Sequence, residues 1–170
     1  MNITVRLSFS EQAALRLLNW LAQENAILRL AQPDLPLLYD SGVVYRPERD
    51  ERWSDLLCTY IAGQEDCDSL AAARAGELLA VGWRALRRGD AGYEQALRSR
   101  PEQIHAEVYL TTQNPEGQMG LYHCLVRYRI DGVWYSDDPS ARLGMNGGRI
   151  DPNIQARWAA RLTPGHWRTA

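Results

Sequence analysis

The chain has 170 residues, 45% hydrophobic and 24% charged, a globular composition long enough for one domain with its own core. With 19 basic against 21 acidic residues, the formal net charge is -2, which disfavours a non-specific binder of nucleic acid or acidic membrane. Every basic side chain is an arginine, so lysine-dependent chemistry such as a Schiff base or a P-loop is excluded.

Residues 3–9 alternate and are rich in β-branched types, which predicts a strand. Ser10 can then cap a helix over residues 11–30, where leucines and isoleucines recur at helical spacing. Pro33 and Pro36 end it and open a loop through Arg49. A short helix is predicted over residues 51–61, with Gly63 as its stop. Next, Asp66-Cys67-Asp68-Ser69-Leu70 leads into an alanine- and leucine-rich helix ending near Leu79, capped by Glu65 or Asp66, with Gly82 past its end. Residues 87–101 read as an irregular excursion. Three strands follow, over residues 104–111, 119–130 and 133–136, the last two joined at the Asp131-Gly132 hairpin signal. Residues 139–150 read as a glycine-containing loop, and a last helix is expected over residues 154–162. The pattern predicts an α+β fold. Its parts are an N-terminal strand and helix (1–39), a core (40–145) and a C-terminal loop and short helix (146–170).

Three cysteines, Cys58, Cys67 and Cys124, make an odd number, so no disulfide framework is implied. Cys67 falls in the first turn of a helix, where unpaired backbone N–H groups and the helix dipole favour a negative sulfur. Asp66 and Asp68 oppose this, which raises the need for a histidine nearby. His123 lies in a predicted strand that would hold an imidazole rigidly. Asp138, at the end of the adjoining strand, comes within reach if the strands pair about residues 131–132. It would fix the tautomer and stabilise the charged ring. Cys58 and Cys124 are expected to be packing residues, and Cys124 faces away from His123 in a regular strand. His105 is a weaker alternative base. A zinc site from Cys58, Cys67, His123 and Cys124 lacks the usual paired spacing. No metal or other cofactor is expected.

Gln64-Glu65-Asp66-Cys67-Asp68-Ser69-Leu70-Ala71, then His123 in a strand, then Trp134-Tyr135-Ser136-Asp137-Asp138-Pro139 together resemble the transglutaminase-like branch of the papain-like cysteine enzymes. Tyr45-Arg46-Pro47-Glu48, Glu51-Arg52-Trp53 and Asp138-Pro139-Ser140-Ala141-Arg142-Leu143-Gly144-Met145 are more specifically similar to small bacteriophage- and prophage-encoded members. The resemblance covers roughly residues 40–145. It implies a nucleophile-bearing helix packed on an antiparallel sheet, with Cys67 as nucleophile, His123 as base and Asp138 as orienting acid. The activity implied is acyl transfer on peptide or amide bonds, as a peptidase, an amidase or a transglutaminase. Trp53, Gln64 and Trp134 are oxyanion or cleft candidates. The implied partners are a protein or peptide substrate and components of a phage particle, with no specific nucleic acid and no membrane. The expected location is the cytoplasm, or the virion. Gln64-Glu65 departs from the glycine that often precedes Asp-Cys in the family. That bulkier approach favours the alternative of a catalytically weak fold serving as a phage structural or assembly protein.

Overall fold

The computed structural model describes residues 10–47, 52–87, 105–112, 122–130 and 133–145. The expected strand over 3–9, the excursion over 87–101 from residue 88 onward, the Asp131-Gly132 turn and the helix over 154–162 lie outside the described residues. So does the start of the 119–130 strand.

Helix α1 spans Glu11–Ala31, and the Ser10 hydroxyl accepts from Ala13 N at 3.3 Å as its cap. It stops where Pro33 would break the ladder. Helix α2 spans Leu56–Ala62 and starts five residues later than expected. The reason is Asp55, whose side chain accepts from Cys58 N at 2.8 Å and fixes the cap there. Gly63 closes α2 in the left-handed conformation, φ 71°, where a side chain would be strained. Helix α3 spans Cys67–Arg87. It runs past the predicted end and through Gly82, because one glycine costs a helix only about 1 kcal/mol and no proline follows it.

Two strand pairings organise the rest. Val44–Tyr45 (β1) and Gln64–Glu65 (β2) form a two-residue parallel bridge that the sequence pattern did not signal. His105–Thr112 (β3), Tyr122–Ile130 (β4) and Val133–Asp137 (β5) form an antiparallel sheet in the order β3-β4-β5. The register sets Val126 opposite Asp137 and Ile130 opposite Val133, as pairing about residues 131–132 requires. Among the described residues, the side of β3 away from β4 meets a side chain: Asn19 accepts from Val108 N at 2.9 Å and donates to Val108 O at 3.0 Å, as a neighbouring strand would.

The fold is therefore mixed helix and sheet, with α3 at its centre. One face of α3 (Ala71, Ala72, Ala75, Leu79, Ala80) packs with Leu18, Ala22 and Ala26 of α1 and with Ala106, Val108, Cys124 and Val126 of the sheet. Another face (Leu70, Ala73) meets Leu35, Leu38, Val43, Leu56 and Tyr60 under the α1–α2 segment. The alanines let the helices come close. At Gly76 the approach is extreme: a Cβ there would lie 2.6 Å from Asn25 Cβ and 2.8 Å from Ala22 O. A carboxylate of α3 is buried as well. Glu77 is 1% exposed, and its Oε1 accepts from Leu38 N at 2.5 Å and Tyr60 Oη at 3.3 Å. Among the described residues, no helix is long and apolar enough to cross a membrane.

Candidate active site

Cys67 is the first residue of α3, half-buried against the core. Its helix begins with Leu70 N donating to Asp66 O at 3.2 Å, so the Cys67 N–H has no carbonyl to bond within the helix. The position is set by β2, which delivers the chain from the β1 bridge straight into the helix.

The imidazole comes from β4. His123 is buried at 6% exposure, and its Nε2 bonds Asp138 Oδ2 at 3.0 Å, so Nδ1 is the ring nitrogen that this bond does not engage. Asp138 follows the last residue of β5. Residues 139–142 were expected in a loop; they form a short helix, α4 (Pro139–Arg142), with Asp138 as its cap. Proline suits the first helical position, where no N–H is needed. Asp138 Oδ1 accepts from Ala141 N at 3.0 Å while Oδ2 faces the histidine. Each oxygen thus has one partner, and the carboxylate cannot swing without losing both bonds.

The preceding residue anchors the same corner. Asp137 Oδ2 accepts from Arg74 Nε of α3 at 2.9 Å, and Arg142 Nη1 stands 3.7 Å from its Oδ1. Arg74 also pairs with Glu77 at 3.1 Å and lies 4.7 Å over the Tyr39 ring, with Arg142 at 3.9 Å. Two turns after the thiol, α3 therefore grips the strand end that carries Asp138. Sequence reasoning missed this clamp; its signal was the Arg74/Glu77 pair in an otherwise alanine-lined helix.

The electrostatics favour a thiolate on Cys67. Its acidity is drawn down to about 5, first by a hydrogen bond from the Cys124 thiol, then by the His123 ring and the Cys124 backbone N–H; burial and the Asp66 charge pull the other way. A bond between two thiols does not by itself choose which one ionises. The imidazole, the backbone N–H and the helix terminus all act on Cys67, and they decide it. Cys124 is pushed up by the same bond and by burial. His123 is raised to about 9, mainly by its bond to Cys67 and then by the bond and charge of Asp138, against burial. Between those limits the pair is thiolate and imidazolium.

The acidic neighbours are less hostile than the sequence suggests. Asp68 is buried, and burial, a hydrogen bond to Asp66, and the charges of Asp66 and Cys67 raise it to about 10. It is neutral at pH 7 and leaves only Asp66 opposing the thiolate. Tyr45 of β1 feels the charges of Cys67, Asp66 and Asp138, which after burial raise its phenol and keep it a donor.

The influence of Cys124 on the acidity of Cys67 was not foreseen. Cys124 does face the core, opposite to His123 in the strand alternation. However, β5 pairs only with residues 126–130 of β4, so residues 122–125 run beyond it.

The remaining candidates are dispersed. Trp53 is half-buried and packs against the same core as Cys67. Gln64 Oε1 accepts from Arg46 Nη1 at 2.9 Å. Trp134 stands 48% exposed on the outer face, edge-on to His105 at 5.4 Å and under Arg127 and Arg129. It is four residues before Asp138, about 13 Å along a strand. His105 pairs with Glu107 at 3.2 Å. Cys58 is exposed on α2 and is raised by partial burial and by the charge and hydrogen bond of Asp55. Among the described residues, no group of three or more His, Cys, Asp or Glu side chains is arranged to hold a metal ion. No family model matches the chain, and no curated protein or solved structure matches it.

Proposed function

We propose that the protein is a cysteine-dependent acyl-transfer enzyme acting on peptide or amide bonds, with a papain-like, transglutaminase-like core. The observation that carries this reading is a half-buried sulfur opening a helix, its acidity lowered in part by the His123 ring, with His123 Nε2 held 3.0 Å from Asp138 Oδ2. Cys67 attacks the substrate carbonyl carbon as thiolate. The negative oxygen that forms meets the Cys67 backbone N–H. The His123 imidazolium gives its proton to the departing amine, and Asp138 holds the ring so that Nδ1 faces the sulfur. The resulting thioester is resolved by water, giving hydrolysis, or by a second amine, giving transfer.

The test is a peptide library incubated with the protein, with and without a primary amine, and read by mass spectrometry. Cleaved or deamidated peptides alone define a hydrolase; amine adducts define a transferase. Both should vanish in Cys67→Ala and in His123→Ala. An unchanged library, with Cys67 still open to alkylation, overturns the proposal.

A further inference from the structure

Helix α3 serves both ends of the candidate relay. Cys67 is its first residue, and Arg74, two turns on, lies on the same face about 10.5 Å along the axis. From there Arg74 reaches the sheet. Its Nε donates to Asp137 Oδ2 at 2.9 Å and its Nη1 to Glu77 Oε2 at 3.1 Å. Glu77 is held in turn, since its Oε1 accepts from Leu38 N at 2.5 Å and from Tyr60 Oη at 3.3 Å. The side chains of Arg74, Glu77 and Asp137 are 16%, 1% and 8% exposed. Apolar side chains of that volume often stabilise a buried site equally well, so stability alone does not account for a buried cluster of ions. Geometry does. Asp137 ends β5, and Asp138 is still extended, φ -113° and ψ 93°. Successive side chains on extended backbone leave it on opposite sides. A bond that fixes Asp137 on the side of Val126, its core-facing partner, therefore fixes the direction in which Asp138 leaves toward His123 Nε2, 3.0 Å away.

We infer that Arg74 is a positioning residue: through Asp137 it holds the Asp138 carboxylate on His123, so that one helix sets both the sulfur and the acid of the site. Its consequence for turnover rests on the acyl-transfer reading; the placement of the histidine–carboxylate pair does not. Asp138 Oδ1 has its own bond to Ala141 N at 3.0 Å, which stops the carboxylate from rotating but leaves α4, a single turn, to be anchored. That turn is tied to β1 by Tyr45 N donating to Leu143 O at 2.9 Å, and to α3 by Arg74. The second tie lies on the residue joined directly to Asp138. Arg142 does not substitute for Arg74: its Nη1 stands 3.7 Å from Asp137 Oδ1, beyond hydrogen-bond reach, and its side chain is 58% exposed. Lysine does not substitute either, because one ammonium on a flexible stem lacks the fork that meets Asp137 and Glu77 together. Loosening the tie lets Asp138 drift from the ring, and a misplacement of about 1 Å can cost about 100-fold in rate.

Arg74→Lys and Asp137→Asn weaken the same bond from its two ends, and either carries the test should the other protein not fold. The first readout needs no substrate: the His123 ring is titrated by proton–nitrogen NMR in the reduced, full-length protein. His123 is raised by Cys67 and by Asp138, against burial, and the tie to Arg74 runs through the second. Both variants should therefore titrate below wild type, toward the midpoint of Asp138→Asn, which removes the carboxylate charge outright. On a peptide selected by the library experiment, kcat should fall about 10- to 100-fold with KM held within about twofold, since the effect passes through Asp138. The double variant should lose no more than the poorer single one, because both break one bond. A wild-type His123 midpoint in the folded variants, losses that multiply in the double variant, or a loss that falls on KM alone overturns the inference. A lowered midpoint in both variants, with no turnover by the wild type, sustains it and removes the acyl-transfer reading instead.

Discussion

The pH dependence of Cys67 alkylation tests the site at its root. With Cys67 held at about 5, its thiolate fraction at pH 6 is about 0.9, against about 0.003 for an unperturbed thiol near 8.5. That is roughly a 300-fold advantage in the reactive form. A weaker base is also a weaker nucleophile, and a Brønsted slope of about 0.4–0.5 over that gap takes back about 25- to 60-fold. Cys67 should therefore react with iodoacetamide roughly 5- to 10-fold faster than glutathione at pH 6. By pH 9 the order reverses by about 20- to 40-fold, because the ordinary thiol has then ionised. The crossing falls near pH 7. The assay is pseudo-first-order labelling with peptide mapping, against glutathione in the same tube. The distinctive sign is shape: a Cys67 rate nearly flat from pH 6 to 8.5 while glutathione climbs about tenfold per unit. Both His123→Ala and Cys124→Ala should move the rise upward, since each removes a bond to the sulfur. A wild-type rate that climbs in parallel with glutathione, or a midpoint unmoved in both variants, would refute the ion-pair description.

Turnover should follow a bell with limbs near 5 and 9, the values of the coupled Cys67–His123 pair. Asp138→Asn keeps the α4 cap but removes the charge facing His123. Turnover should fall about 10²- to 10⁴-fold and the alkaline limb should move down, with little change in melting temperature. Asp68 keeps its proton in the folded protein up to about 10 but loses it near 3.9 when unfolded, so its contribution to stability declines as pH rises between those values, by up to ~1.4 kcal/mol per unit. Urea unfolding of Asp68→Asn should therefore show a gain over wild type that grows from pH 5 to pH 8; parallel curves would contradict a buried neutral acid. Gly76→Ala gains about 1 kcal/mol of helix propensity but drives a methyl to 2.8 Å from Ala22 O. Since that backbone oxygen cannot turn aside, we expect a net loss of about 1–2 kcal/mol in urea unfolding.

Much of this was legible in the residues. Ser10 and Gly63 announced the helix ends they make, because caps depend on one side chain or one backbone conformation. Period-two patterning placed three strands, and pairing about residues 131–132 set residue 126 opposite 137, since a hairpin register follows from its turn. The same arithmetic brought Asp138 near His123, and a cysteine opening a helix already suggested a thiolate.

What the chain could not declare by itself was which side chains share a volume. Asp68 is neutral because α3 buries it beside Asp66, and burial is a property of the packed core. Arg74 reads as a solvated helix residue until Asp137 arrives from β5, 63 positions later. Cys124 reads as packing and is buried in the core, yet its thiol and backbone N–H draw down the acidity of Cys67, 57 positions away. Propensity and periodicity act over a few neighbouring residues and fix elements and faces. Hydrogen bonds and charge shifts between distant segments depend on ångström-scale approach, which is set only when α1, α3 and the sheet close on one another.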